Sequence, residues 1–122
     1  MTASFFSHLQ TLLKERAHEI LEREQLNRST LHLYAIGACW VAFEKSAYLL
    51  SCLYEDAYPS VVRQDSSASP IVIDGLTAEE LPLVTQGRNL HMGDRSHLAI
   101  PITACNNTAY LKWRQELIEE VG

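Results

Sequence analysis

His91, Asp94 and His97 fall at every third position of LHMGDRSH, and imidazole and carboxylate both ligate zinc or iron. Established metal sites usually set a ligand pair on a regular turn of structure. Gly93 breaks any helix that would bring these three to one face, so the expectation is a solvated loop without a metal. Gly87-Arg88-Asn89 and Gly93-Asp94-Arg95 offer backbone N–H groups and two guanidinium groups to an anion. Their spacing matches neither a phosphate-binding loop nor a dinucleotide fingerprint. Cys105 directly precedes an expected helix start, where the positive end of the helix dipole favours a thiolate. His97 is a poor base for it, since an extended strand would set the two about 25 Å apart at about 3.3 Å per residue. The candidate ligand-binding set is thus Arg88, His91, Asp94, Arg95, His97 and Cys105. No catalytic residue, metal or cofactor is assigned.

The elements that must position this set begin with a helix over residues 4–26. Phe6, Leu9, Leu13, Ala17 and Ile20 make its apolar face, thickened by Phe5, Leu12 and Leu21. Lys14, Glu15, Glu19, Glu22 and Arg23 make the polar one, and Asn27 or Ser29 is placed to cap a second helix. That second helix should stop before Pro59, and its most apolar stretch is residues 33–54, with the seam Leu33, Ile36, Trp40, Phe43, Ala47, Leu50 and Tyr54 at three- and four-residue spacing. Glu44, Ser51 and Glu55 then share an exposed strip, with the Lys45 stem laid across apolar neighbours. His8, His18 and His32 are expected at the surface or rim of the helices. Cys39 and Cys52 are expected in the core, about 20 Å apart on one helix at 1.5 Å per residue, too far to bridge.

Beyond Pro59 the pattern changes. Short β-branched runs at 60–64 and 70–74 read as strands, and Thr77-Ala78-Glu79-Glu80 has the form of a capping box. Leu98, Ile100 and Ile102 alternate as a strand, which Pro101 assigns to a sheet edge. Asn106 or Asn107 caps a last helix whose buried side includes Tyr110, Trp113, Leu117 and Val121.

The 122 residues suit a single domain over 1–122, with 47% hydrophobic and 20% charged residues, the composition of a globular chain. A net charge of −5 argues against nucleic acid as the main partner. Charge at Glu44 and Lys45, in the middle of the most apolar stretch, argues against a membrane span. Neither a basic leader nor a cysteine framework is present, so the expected location is cytoplasmic. The fold expected is α+β: a long N-terminal helical hairpin, a small antiparallel sheet over about 60–103, and a C-terminal helix packed on the hairpin. The function expected is a non-enzymatic protein-interaction or regulatory module with a protein partner, a homo-oligomer formed through helical surfaces. The alternative is a small-molecule binding domain, for an anion or a nucleotide, or a small enzyme using the 86–105 loop and strand.

Overall fold

In the computed structural model, which describes residues 3–57, 59–63, 69–94, 96–102 and 106–121, residues 33–43 form a β-hairpin and not the core of a second helix. Strand β1 is Thr30–Ile36 and β2 is Cys39–Phe43. Ile36 pairs with Cys39 across a two-residue turn, Gly37-Ala38. Gly37 has φ 59, and Ala38 is not among the positive-φ residues, the pattern of a type II′ hairpin turn with glycine at its first central position. The helical reading fails for a physical reason. A strand covered on both faces buries its odd and its even positions, so the run reads as apolar throughout and periodicity does not separate it from a buried helix.

The first helix, α1, is Ala3–Gln25, as expected to within a residue at each end. After the hairpin come α2 (Lys45–Leu53), β3 (Ser60–Val62), β4 (Ile71–Thr77), α3 (Leu81–Thr85), β5 (His91–Asp94), β6 (His97–Pro101) and α4 (Asn107–Val121). The mixture is α+β, with one antiparallel sheet in the order β3-β4-β2-β1-β6-β5. The sheet is larger than expected because β1 and β2 take its centre. Strand β6 is interior, but its pairing with β5 reaches only to Ala99, so Pro101 lacks a neighbour strand on that side. That satisfies the restriction proline imposes.

Alternation along the central strands divides the core into two. His32, Tyr34 and Ile36 share one face with Val41, Phe43, Ile71 and Ile73, and α1 covers most of it with Phe5, Leu9, Leu13 and Ile20. Leu31, Leu33, Ala42, Val72, Leu98 and Ile100 point the other way, toward Ala47 and Leu50 of α2, Val84 of α3 and Leu117 of α4. The C-terminal helix packs on α2 through Tyr48, Tyr110 and Trp113, and also lies against β3 and β4. It does not rest on a helical hairpin. Two local signals act as the sequence implies. Thr77 N donates to Glu80 Oε1 (2.9 Å) and Glu80 N to Thr77 Oγ1 (3.2 Å), a reciprocal capping box. Asn106 Oδ1 accepts from Ala109 N (3.0 Å) at the start of α4.

Cys39 is half-buried on β2 and Cys52 is exposed on α2, so the two do not share a helix and Cys52 is not a core residue. Both are free thiols. Among the described residues no helix is long and apolar enough to cross a membrane. The side chain of Val121, expected on the buried side of α4, lies outside the described part.

Asp74 occupies a core position of β4 and is 1% exposed. Its Oδ1 accepts from the following Gly75 N (2.8 Å), while Oδ2 is buried with no hydrogen-bond partner among the described residues. Burial raises its pKa from 3.8 to about 7 against the lowering effect of that one bond. A carboxyl whose folded pKa is raised contributes most below its unfolded pKa, and that contribution is lost as pH rises toward and through the folded value. Asp74→Asn removes the dependence. The stability of the variant relative to wild type should therefore grow from pH 4 to pH 8 by a few kcal/mol, at about 1.4 kcal/mol per pKa unit. Urea titrations of both proteins across that range measure it; a gap that stays constant with pH contradicts the assignment.

Candidate functional site

At one end of the sheet the last turn of α1, the junction between β2 and α2, and the first two turns of α4 come together around two carboxylates. Glu44 is the single residue between the last position of β2 and the first of α2. Its N–H stays in the sheet, donating to Val72 O (2.9 Å), while its C=O already accepts Tyr48 N of the helix (3.0 Å). Meeting both demands at once gives φ 51, ψ −118. Among the described residues it is the only non-glycine with positive φ, a conformation that costs about 1–3 kcal/mol and persists only where its surroundings enforce it.

The Glu44 side chain supplies that enforcement. Its Oε2 accepts from Tyr110 OH (2.8 Å) and Arg114 Nε (2.8 Å), and its Oε1 accepts from Arg114 Nη2 (3.3 Å). Arg114 Nη2 donates also to Pro70 O (2.8 Å), so one guanidinium ties α4 to the entry of β4. The ion pair is largely shielded, with the two side chains 26% and 12% exposed. Burial first, and then the adjacent Glu44 charge, raise the Tyr110 hydroxyl pKa well above its ordinary value. The hydrogen bond to Glu44 raises that of Arg114. Glu44 is thus not on an exposed strip with Ser51 and Glu55. The strip fails because the helix starts one residue after Glu44.

The second carboxylate, Glu24 of α1, is 2% exposed. It accepts Ser46 N (2.8 Å) and Asn27 Nδ2 (3.2 Å) on Oε1, and Ser46 Oγ (2.6 Å) on Oε2. A helix start leaves backbone N–H groups without partners, and here a carboxylate from another helix takes the one at Ser46. Burial lifts the Glu24 pKa to about 7, opposed by the bonds from Ser46 and Asn27. Asn27 does not cap a second helix. It closes the α1–β1 connection, accepting Thr30 N (3.0 Å) and donating to Thr30 O (2.6 Å). Lys45 Nζ donates to Asn27 O (3.3 Å).

Two clefts open at this end. One, of about 480 Å³, lies between Leu21 of α1 and Leu111 of α4 and is bordered by Glu24, Glu44, Tyr110 and Arg114. The other, of about 350 Å³, adjoins it through Gln25, Lys45 and Asn107, and adds Leu26, Asn27 and Arg28. A third opening, a groove of about 530 Å³, runs between the N-terminal half of α1 and the end of β3, lined by Phe6, Leu9, Leu13 and Val62 with Gln10, Lys14 and Arg63.

Of the candidates at residues 86–105, Arg95 and Cys105 lie outside the described residues, as does the Asp94 side chain. Arg88 Nε donates to Val84 O (3.1 Å), closing α3. His91 is exposed on β5 and pairs in register with Ala99, which puts it on the same sheet face as His97. His97 itself is buried, against β1. Its Nε2 lies 3.0 Å from His32 Nδ1, and its ring stacks on His32 and Tyr34 at 5.2 and 4.9 Å. Gly93 passes so close that a Cβ there would fall 2.1 Å from His97 Nδ1. The structure therefore joins His97 to His32, a residue expected at a helix rim. Burial, then the neighbouring His97, lower the His32 pKa to about 4. Among the described residues no group of three or more His, Cys, Asp or Glu is arranged to hold a metal.

Sequence reasoning misses Glu24, although it follows Ile20 by four residues on the stripe that holds Leu9 and Leu13. A charged residue on a buried stripe is the signal that could have found it. Glu44 stands out in the sequence as a charge in an apolar stretch, but nothing near it shows its role. Its partners lie 66 and 70 residues away, at Tyr110 and Arg114.

Glu44→Ala should cost about 2–4 kcal/mol by leaving a shielded guanidinium and a phenol without their acceptor. In a double-mutant cycle with Arg114→Met the coupling should exceed about 1 kcal/mol. Denaturant unfolding of the four proteins gives the number, and a coupling near zero would remove Glu44–Arg114 as the link between α4 and the sheet. Against protein-family models, curated proteins and solved structures alike, the chain has no match.

Proposed function

We propose that the chain is a non-enzymatic interaction module that pairs with a second copy of itself along the N-terminal half of α1. The observation that carries this reading is Phe6. An apolar face centred on Phe6, Leu9 and Leu13 is expected from the sequence, yet the helix turns Phe5 inward and leaves Phe6 46% exposed. Phe6 stands at the rim of the groove floored by Leu9, Leu13 and Val62. Two copies related by a two-fold axis would each place the Phe6 ring in the other's groove, a self-complementary contact of the kind closed dimers use.

Other features support the same surface. Strand β3 is an edge of the sheet, beside the groove, and carries ladder groups of the type a second chain can pair. The strands of residues 33–43 are not part of this surface, since Leu33, Tyr34, Ile36, Val41, Ala42 and Phe43 are buried in the core. The free thiols of Cys39 and Cys52 fit a reducing, cytoplasmic setting.

Sedimentation velocity across a micromolar concentration series tests the proposal. Wild type should shift from monomer to dimer, and Phe6→Glu should remain monomeric with an unchanged melting temperature. Monomer at every concentration, or a dimer that Phe6→Glu leaves intact, would refute it.

A further inference from the structure

Away from the Phe6 groove, the polar end of the molecule has the makings of a ligand site. We propose that the adjoining clefts between α1, the β2–α2 junction and α4 bind a small amphipathic anion, its charged group held by Arg28 and Lys45 and its apolar body lying between Leu21 and Leu111.

Charge favours an anion. The chain is acidic, with net charge −5, yet the described lining of the smaller cleft contains two cations, Arg28 and Lys45, three carboxamides, Gln25, Asn27 and Asn107, and no carboxylate. A guanidinium offers a planar fork of donors to a carboxylate or phosphate, and an ammonium a compact charge with three donors. Lys45 uses one of its N–H groups on Asn27 O at 3.3 Å, which fixes its stem and leaves capacity for a ligand. Carboxamides add neutral donors that can orient the same oxygens.

The neighbouring cleft does not cancel that charge. Glu44 is neutralised by Arg114 and hydrogen-bonded by Tyr110. Glu24 directs both oxygens to Ser46 and Asn27 inside the protein. The cationic pair is therefore the charge that a ligand meets.

Shape favours a ligand with an apolar body. The two clefts share Gln25, Lys45 and Asn107, so the polar pocket leads directly into the larger one. There Leu21, Pro70 and Ile71 supply apolar wall, and Leu111 stands 53% exposed at its side. At about 350 and 480 Å³ the two parts lie within the range of small-molecule pockets, where a few converging polar groups set the orientation and apolar wall supplies most of the contact. A bare anion would use only the first part. A carboxylate or phosphate monoester on an aliphatic or aromatic body uses both.

The test is an amide NMR titration of the full chain with four probes: octanoate, phenyl phosphate, inorganic phosphate and octanol. Octanoate or phenyl phosphate should produce saturable shifts at residues 25–28, Lys45 and Asn107, at least tenfold tighter than inorganic phosphate or octanol. Because these two differ in body as well as head group, octyl phosphate compared with octanoate identifies the anionic group as phosphate or carboxylate by which of them is tighter. Arg28→Gln, a change at a solvent-accessible side chain, should weaken that binding several-fold, and the pair Arg28→Gln with Lys45→Gln at least tenfold, with the melting temperature retained by Arg28→Gln. Phe6→Glu should leave binding unchanged, since the groove lies elsewhere. The proposal is overturned by an absence of saturable shifts with both amphipathic probes, by binding indifferent to Arg28→Gln, or by inorganic phosphate or octanol binding as tightly as they do.

Discussion

A chain that leaves a strand and enters a helix with a single residue between must turn its carbonyl out of the ladder within that residue, and Glu44 makes this turn. Its N–H still belongs to the sheet and its C=O already belongs to the helix. The resulting φ of 51 is unfavourable for glutamate, and nothing local relieves it. Relief comes from 70 residues away, where Arg114 on α4 clasps the carboxylate and reaches on to Pro70 O. One side chain thereby sets where α2 starts, where β4 enters and where α4 lies. Without the Glu44 carboxylate, the shielded guanidinium and the strained peptide would both stand as uncompensated costs.

Glu24 completes the arrangement from the opposite layer. It belongs to α1, which covers one face of the sheet, but its carboxylate reaches Ser46 at the head of α2, which covers the other. A negative group at a helix start is favoured by the helix dipole, although burying it raises its pKa to about 7. Buried polar networks often add little net stability, while removing a single member is costly. Their contribution here is to geometry: three layers are registered against each other at one end of the sheet. That same end is where the clefts open, a consequence of placing polar groups where apolar packing stops.

How much of this could be read from the sequence depended on how local each cause was. The first helix, the Thr77–Glu80 box and a cap at Asn106 or Asn107 are legible, because each is determined by residues within a turn of one another. The 33–43 hairpin is not. Its strands are buried on two faces, so the period-two signal vanished into a continuous apolar run, and Gly37 was the one local mark of the turn. A helix over this stretch separates His32 from His97 and sets Cys39 on one helix with Cys52, whereas the hairpin brings the two histidines together and parts the two cysteines. Candidate chemistry obeyed the same rule. Residues at 86–105 stand out by type and spacing, whereas Glu24, Glu44, Tyr110 and Arg114 meet only through tertiary structure. Phe5 and Phe6 show the limit in miniature, since adjacent aromatics leave the wheel ambiguous by one position.

The Glu44 carboxylate holds α4 against the entry of β4. Native-state hydrogen exchange on wild type and Glu44→Gln tests it most directly, since sub-global opening is resolved amide by amide. The expected result is a joint loss of protection across α4 and at Ile71 and Val72, with the amides of β1 and of the middle of α1 retaining theirs. Uniform loss over the whole chain, or unchanged protection in α4, would contradict the account.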